Sequence, residues 1–216
     1  MKRGFTLIEL LVVVGILGLL LAVVMPALAR AREAAKVTAV NSELYTLGRA
    51  LEAYGLDYEG RFPPTRASCM IPSHFYQLPD ELVKEKYLPP RATLYGPMSS
   101  DFEDRFNAGH TYKYQAVGDL ILNRGKRPQS NQSMLWVPDG FPELEKETGA
   151  FYSNPGGSPV SWVVYSMGPR FNENDEVVQA MRYPAPRSTW YNPTERKGFL
   201  TRIRLAKGRH VGTFER

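Results

Sequence analysis

Between Leu10 and Ala29 the chain carries no charged or hydrogen-bonding side chain; the twenty residues read LLVVVGILGLLLAVVMPALA. As a helix rising about 1.5 Å per residue, such a run spans about 30 Å, the thickness of a bilayer's hydrocarbon core. A soluble cytosolic enzyme is the class least compatible with it. Three fates stay open on this feature alone: a membrane anchor, a secretory signal cut after Ala27-Leu28-Ala29, or a segment processed by another route. Lys2 and Arg3 ahead of the run suit a secretory signal, but the run exceeds the apolar stretch of about 7–15 residues that such signals carry. Glu9, at the edge of the run, has no use in a secretory signal. An acidic side chain well inside a membrane costs about 2.5–3.5 kcal/mol on insertion scales, so Glu9 belongs at the interface or opposite a cation.

Lys2-Arg3-Gly4 followed by Phe5-Thr6-Leu7-Ile8-Glu9-Leu10 and the apolar run resembles the leader and methylation segment of the type IV pilin superfamily, which includes the pseudopilins of type II secretion. The resemblance implies cleavage by a prepilin peptidase between Gly4 and Phe5, N-methylation of the new Phe5 amine, and assembly through the N-terminal helix. It also implies that Glu9 faces the cationic N-terminus of a neighbouring subunit. A carboxylate and an ammonium about 4 Å apart attract by about 4 kcal/mol at an effective dielectric of about 20, enough to offset much of the cost of burial. Gly18 and Pro26 match positions that bound a locally melted helix segment in filaments of this superfamily. The cations flanking the run, Lys2 and Arg3 before it and Arg30, Arg32 and Lys36 after it, do not orient the span. From the resemblance follows an inner-membrane precursor with its head outside the cytoplasm, and then a periplasmic or cell-surface filament.

After the apolar run, Val40, Leu44, Leu47, Leu51 and Tyr54 recur in steps of four, three, four and three, one stripe of an amphipathic helix. Arg32, Lys36, Asn41, Arg49 and Glu52 are expected on the opposite, solvated face, and Gly55 at the stop. The segments are then 1–4 leader, 5–29 transmembrane or filament-core helix, 30–54 the amphipathic half of the same helix, and 55–216 the head. Pro and Gly number 17 and 18, so the head should be rich in turns. A short helix is expected at about Pro79–Tyr87, and strands at Thr111–Val117, Leu120–Leu122, Met134–Val137, Val160–Met167, Leu200–Leu205 and Arg209–Phe214, with loops at 123–133 and 151–159. The fold class is α+β: a long N-terminal helix, apolar in its first half, packed by its second half on a small antiparallel sheet. The order Phe62-Pro63-Pro64, Tyr87-Leu88-Pro89, Asp104 to Tyr114 and Val164 to Pro169 is also similar to the major pseudopilins. Residues 118–160 and the tail beyond 176 depart from that compact pattern.

No catalytic constellation is visible. A single cysteine, Cys69, excludes an internal disulfide and a Cys-pair zinc site. His74, His110 and His210 show no metal-ligand spacing, and there is no G-x-S-x-G, P-loop or dinucleotide fingerprint. Major pseudopilins bind calcium in the region of Asn172, Asn174 and Asp175, so these oxygen-bearing residues are the metal candidates; Arg170 stands where the family carries an acidic residue and would repel the cation. No cofactor is required. Residues 196–216 hold seven Lys/Arg against Glu215, leaving 20 cations and 21 anions in 1–195, so the net charge of +5 is a property of the tail. Its alternation with Leu200, Ile203, Leu205 and Val211 reads as a strand with one wet basic face, suited to acidic neighbours in an assembly and less so to nucleic acid. The resemblance names as partners the chain itself in a homo- or hetero-polymer, prepilin peptidase, an inner-membrane assembly platform and minor pilins. The rival readings are a secreted or periplasmic binding module released after Ala29 and a membrane-anchored protein of another activity.

Overall fold

The computed structural model describes residues 6–67, 76–90, 102–122 and 132–215. The chain comprises two compact units, residues 1–39 and 40–216. Helix α1 runs from Leu7 to Asp57. Within the first unit the large apolar side chains from Leu7 to Leu28 are 46–80% exposed. Within the second, Val40, Leu44, Leu47, Leu51 and Tyr54 are buried, as their spacing requires.

Gly55 does not stop the helix. It lies within α1, and a Cβ there would come within 2.8 Å of the Phe62 ring, so the glycine serves close approach of Phe62. The turn is made further on, where Glu59 and Gly60 take positive φ and the Gly60 N–H donates to the Gly55 carbonyl at 2.7 Å, a Schellman closure. Asn41 and Glu52, expected on the wet face, are half-buried: the Asn41 Oδ1 accepts from the Thr213 hydroxyl at 2.8 Å, and Glu52 accepts from Arg204.

Strands β1 (Thr65–Ala67), β2 (Lys113–Ala116), β3 (Gly118–Leu122), β4 (Gln132–Ser133), β5 (Leu135–Pro138), β6 (Gly149–Tyr152), β7 (Val160–Ser166), β8 (Leu200–Leu205) and β9 (His210–Gly212) form three small sheets, with short helices α2 (Glu81–Lys84) and α3 (Glu176–Gln179) between them. The largest sheet is antiparallel in the order β2-β7-β8-β9. The second has the order β1-β3-β4, its β1–β3 pair parallel, and β5–β6 is a hairpin. The architecture is α+β.

β7 is covered on both faces and therefore reads from Trp162 to Tyr165 as an apolar run and not as an alternation. Val163 and Tyr165 join a core with Leu135, Trp190, Phe199 and Ile203, while Trp162 meets Phe62 and His210. Strands β1, β4 and β6 and helix α3 have no counterpart among the expected elements. At two to four residues each they are too short to show a period; β4 and part of β6 fall in stretches expected to be loops.

Candidate assembly segment and the charged contacts of the head

Gly4 and Phe5 lie outside the described residues. Thr6 is the residue preceding α1 and Glu9 its third helical residue, and the two form a capping box. The Glu9 Oε2 accepts from the Thr6 N–H at 2.9 Å and from the Thr6 hydroxyl at 2.7 Å, and the Glu9 N–H donates back to the Thr6 Oγ1 at 3.3 Å. The sequence reading missed this role, although Thr6-x-x-Glu9 is its signature. Gly18 and Pro26 both sit within continuous helix in the chain by itself. Pro26 has no N–H to give the Ala22 carbonyl, and a Cβ on Gly18 would meet nothing within 4 Å. Among the described residues one helix, α1, is long and apolar enough to cross a membrane.

The loop after β7 presents the metal candidates. Asn172 Oδ1 accepts from the Asn174 N–H at 3.1 Å, an Asx turn, and the Asp175 Oδ2 lies 2.5 Å from the Lys197 ammonium. A cleft of about 460 Å³ beside them is floored by Trp190 and Phe199 and rimmed by Arg170, Asp175 and Lys197. Calcium takes about six to eight oxygen ligands. Of the three candidate side chains, the Asp175 carboxylate is paired with Lys197 and the Asn172 amide oxygen is engaged in the turn, which leaves the Asn174 amide. Among the described residues no cluster of three or more His, Cys, Asp or Glu could hold a metal.

The cations of β8 do not form a wet face, although Lys197, Lys207 and Arg209 of the same tail are exposed. Arg202 is 8% exposed, its guanidinium lying over the rings of Tyr45 (4.9 Å) and Phe214 (4.3 Å). Arg204 Nε donates to the Glu52 Oε1 at 2.8 Å and its guanidinium stacks over Phe62. Lys197 is paired with Asp175, and Arg209 with Glu143 at 2.8 Å. The reason is topological: residues of α1 and the loop after it meet the face of β8 that carries Arg202 and Arg204, so the alternation that looked like wet and dry is a division between two buried faces. Arg216 lies outside the described residues. The two cations of β8, Arg202 and Arg204, are thus engaged within the chain.

One buried polar group joins β7 to the segment before β2. Asp104, fully buried, accepts from the Ser166 hydroxyl at 2.6 Å, the Phe106 N–H at 3.0 Å and the Met167 N–H at 3.2 Å. Burial raises its carboxyl above the usual range against the pull of these donors. The short matched stretches around Asp104 and Ser166 are thus physically linked: each supplies the other's hydrogen bonds.

The apolar first half of α1 and its capping Thr6-x-x-Glu9 make an N-terminal segment of the prepilin type. Residues 1–25 match the family described as "Prokaryotic N-terminal methylation motif". The chain is 45% identical over 64 residues to the type II secretion system core protein G of Klebsiella pneumoniae, covering 30% of this chain and 45% of that protein. It is 46% identical over 56 residues to the same-named protein of Pseudomonas aeruginosa (26% and 39%), and 33% identical over 94 residues to that of Klebsiella michiganensis (44% and 58%). The matched stretches thus span from about two fifths to three fifths of these relatives. No solved structure matches.

Proposed function

We propose that this chain is a structural subunit of a pseudopilus-type filament of type II secretion, cut between Gly4 and Phe5, methylated on Phe5, and assembled through residues 5–29. The observation that carries the reading is Glu9: a carboxylate at the head of a twenty-residue apolar run, within a segment that matches the methylation motif. In an apolar filament core that charge demands a cation, and the amine released at Phe5 of a neighbouring subunit supplies one, setting the register between subunits. Gly15, Gly18 and Ala22 allow helices to approach closely where no water-driven force operates between them. The precursor lies in the inner membrane with its head outside the cytoplasm, and the assembled form is periplasmic. Its partners are further copies of itself, minor pilins, prepilin peptidase and an assembly platform.

The mass and N-terminal residue of the mature protein, taken from a sheared-filament or membrane fraction, test this. A start at methylated Phe5 is expected. A soluble product starting at Arg30, or an intact Met1 in the membrane, would discard it.

A further inference from the structure

The second half of α1 meets the β8–β9 hairpin through a cluster that filament assembly does not explain: Glu52 on α1, Arg202 and Arg204 on β8, and His210 on β9. His210 Nε2 lies 3.0 Å from the Glu52 Oε1, and the Arg202 Nε donates to the His210 Nδ1 at 3.2 Å. Arg204 donates to the same Glu52 oxygen at 2.8 Å and to the Ser161 hydroxyl of β7 at 3.1 Å. Arginine has donors only, so Nδ1 must offer its lone pair and the ring proton must sit on Nε2, where Glu52 receives it. The bonding pattern therefore admits a neutral imidazole and no other state.

A proton on Nδ1 would set two donors against each other and place a third cation beside the guanidiniums of Arg202 and Arg204, of which Arg204 is the one paired with Glu52. Little nearby can relieve this. The ring is held edge-on to Trp162 of β7 at 5.2 Å between centroids, and the remaining groups facing the cluster are the phenol of Tyr45 on α1 and the rings of Phe62 and Phe214. Arg202 packs closely on α1, its Cδ lying 2.9 Å from where a Cβ on Gly48 would stand.

We infer that protonation of His210 in mildly acidic solution breaks the Arg202–His210 bond and loosens the second half of α1 from the β8–β9 hairpin, making this joint acid-sensitive. Burial holds the imidazole below its ordinary value of 6.5, outweighing the hydrogen bond to Glu52. The unfolded chain therefore takes up a proton that the folded chain resists. The joint's contribution is complete above about pH 6.5 and falls away as the pH drops below it.

The experiment uses the full chain in detergent micelles, with thermal unfolding followed from pH 7.5 to 5.5 for the wild type and for His210→Asn, which keeps an acceptor for Arg202 and cannot titrate. The wild type is expected to lose about 2–4 °C more than the variant across that range. Parallel curves would overturn the inference. Should the variant fail to fold at pH 7.5, an NMR titration of the wild-type His210 ring decides. A midpoint below 6.5, with a change in Trp162 fluorescence over the same interval, sustains it; a midpoint at or above 6.5 refutes it.

Discussion

In the chain by itself the Glu9 carboxylate accepts two hydrogen bonds from Thr6, so a capping role and a charge-pairing role fall on the same side chain. Two substitutions separate them. Glu9→Gln keeps a capping oxygen and removes the charge, whereas Glu9→Ala removes both. If the charge pairs with a neighbouring amine, both variants should be processed and membrane-inserted yet yield no filaments in a shearing assay; filaments from Glu9→Gln would assign the residue to capping alone. Lys113 is a second residue whose consequence is local. It is 1% exposed on β2, and among the described residues its ammonium has no hydrogen-bond partner. Burial lowers it from 10.5 to about 8, against the pull of the Asp104 carboxylate. Since the folded value lies below the unfolded one, the unfolded chain binds the extra proton between about pH 8 and 10.5, and stability should rise with pH across that window. Lys113→Met should raise stability at pH 7 by about 1–3 kcal/mol in chemical denaturation and abolish that rise. Neither the capping partner of Glu9 nor the isolation of Lys113 follows from composition. The first has a four-residue signature that can be read, and the second depends on which strands happen to cover β2.

At the scale of the element, the buried stripe of α1 was readable because a helix repeats every 3.6 residues and Val40 to Tyr54 keep that period over four turns. What lies on the flanks of that stripe was not. Asn41 and Glu52 are polar residues in helical positions that look wet, and they are drawn under cover by Thr213, Arg204 and His210, which lie about 150–170 residues further along the chain. Gly48 shows the same dependence. In a helix interior it costs about 1 kcal/mol relative to alanine, so propensity alone favours Gly48→Ala. A Cβ there would meet Arg202 Cδ at 2.9 Å and Nε at 3.0 Å, and Trp162 at 3.4 Å. Arg202 is clamped between two aromatic rings, so the substitution should destabilise the chain by about 1–3 kcal/mol, seen as a lowered denaturation midpoint with an unchanged slope. The loop carrying Asn172, Asn174 and Asp175 is held by Lys197. Calcium added in excess and then chelated is therefore expected to leave the unfolding temperature unchanged, while Lys197→Ala should lower it by about 1–3 °C. A calcium-dependent rise would show that the ion displaces the lysine.

For the whole molecule, residues 40–216 form a compact unit with a core of their own, including every buried residue of α1. A chain beginning at Arg30 should therefore fold as a soluble monomer, with far-UV circular dichroism and a cooperative melt showing the head intact; a molten or aggregated product would mean that the head depends on the apolar segment. The apolar run and the long helix were determined by the sequence itself, because each rests on neighbours within a few positions and on a property, length or period, that survives without tertiary contacts. The tertiary structure alone decided the fate of the basic tail. Whether Arg202 and Arg204 face water or a helix depends on what covers β8, and the partners that cover it come from residues 45–62 and 213–214. Alternation along a strand says that two faces differ; it takes a second layer, supplied from far along the chain, to say which of them is dry.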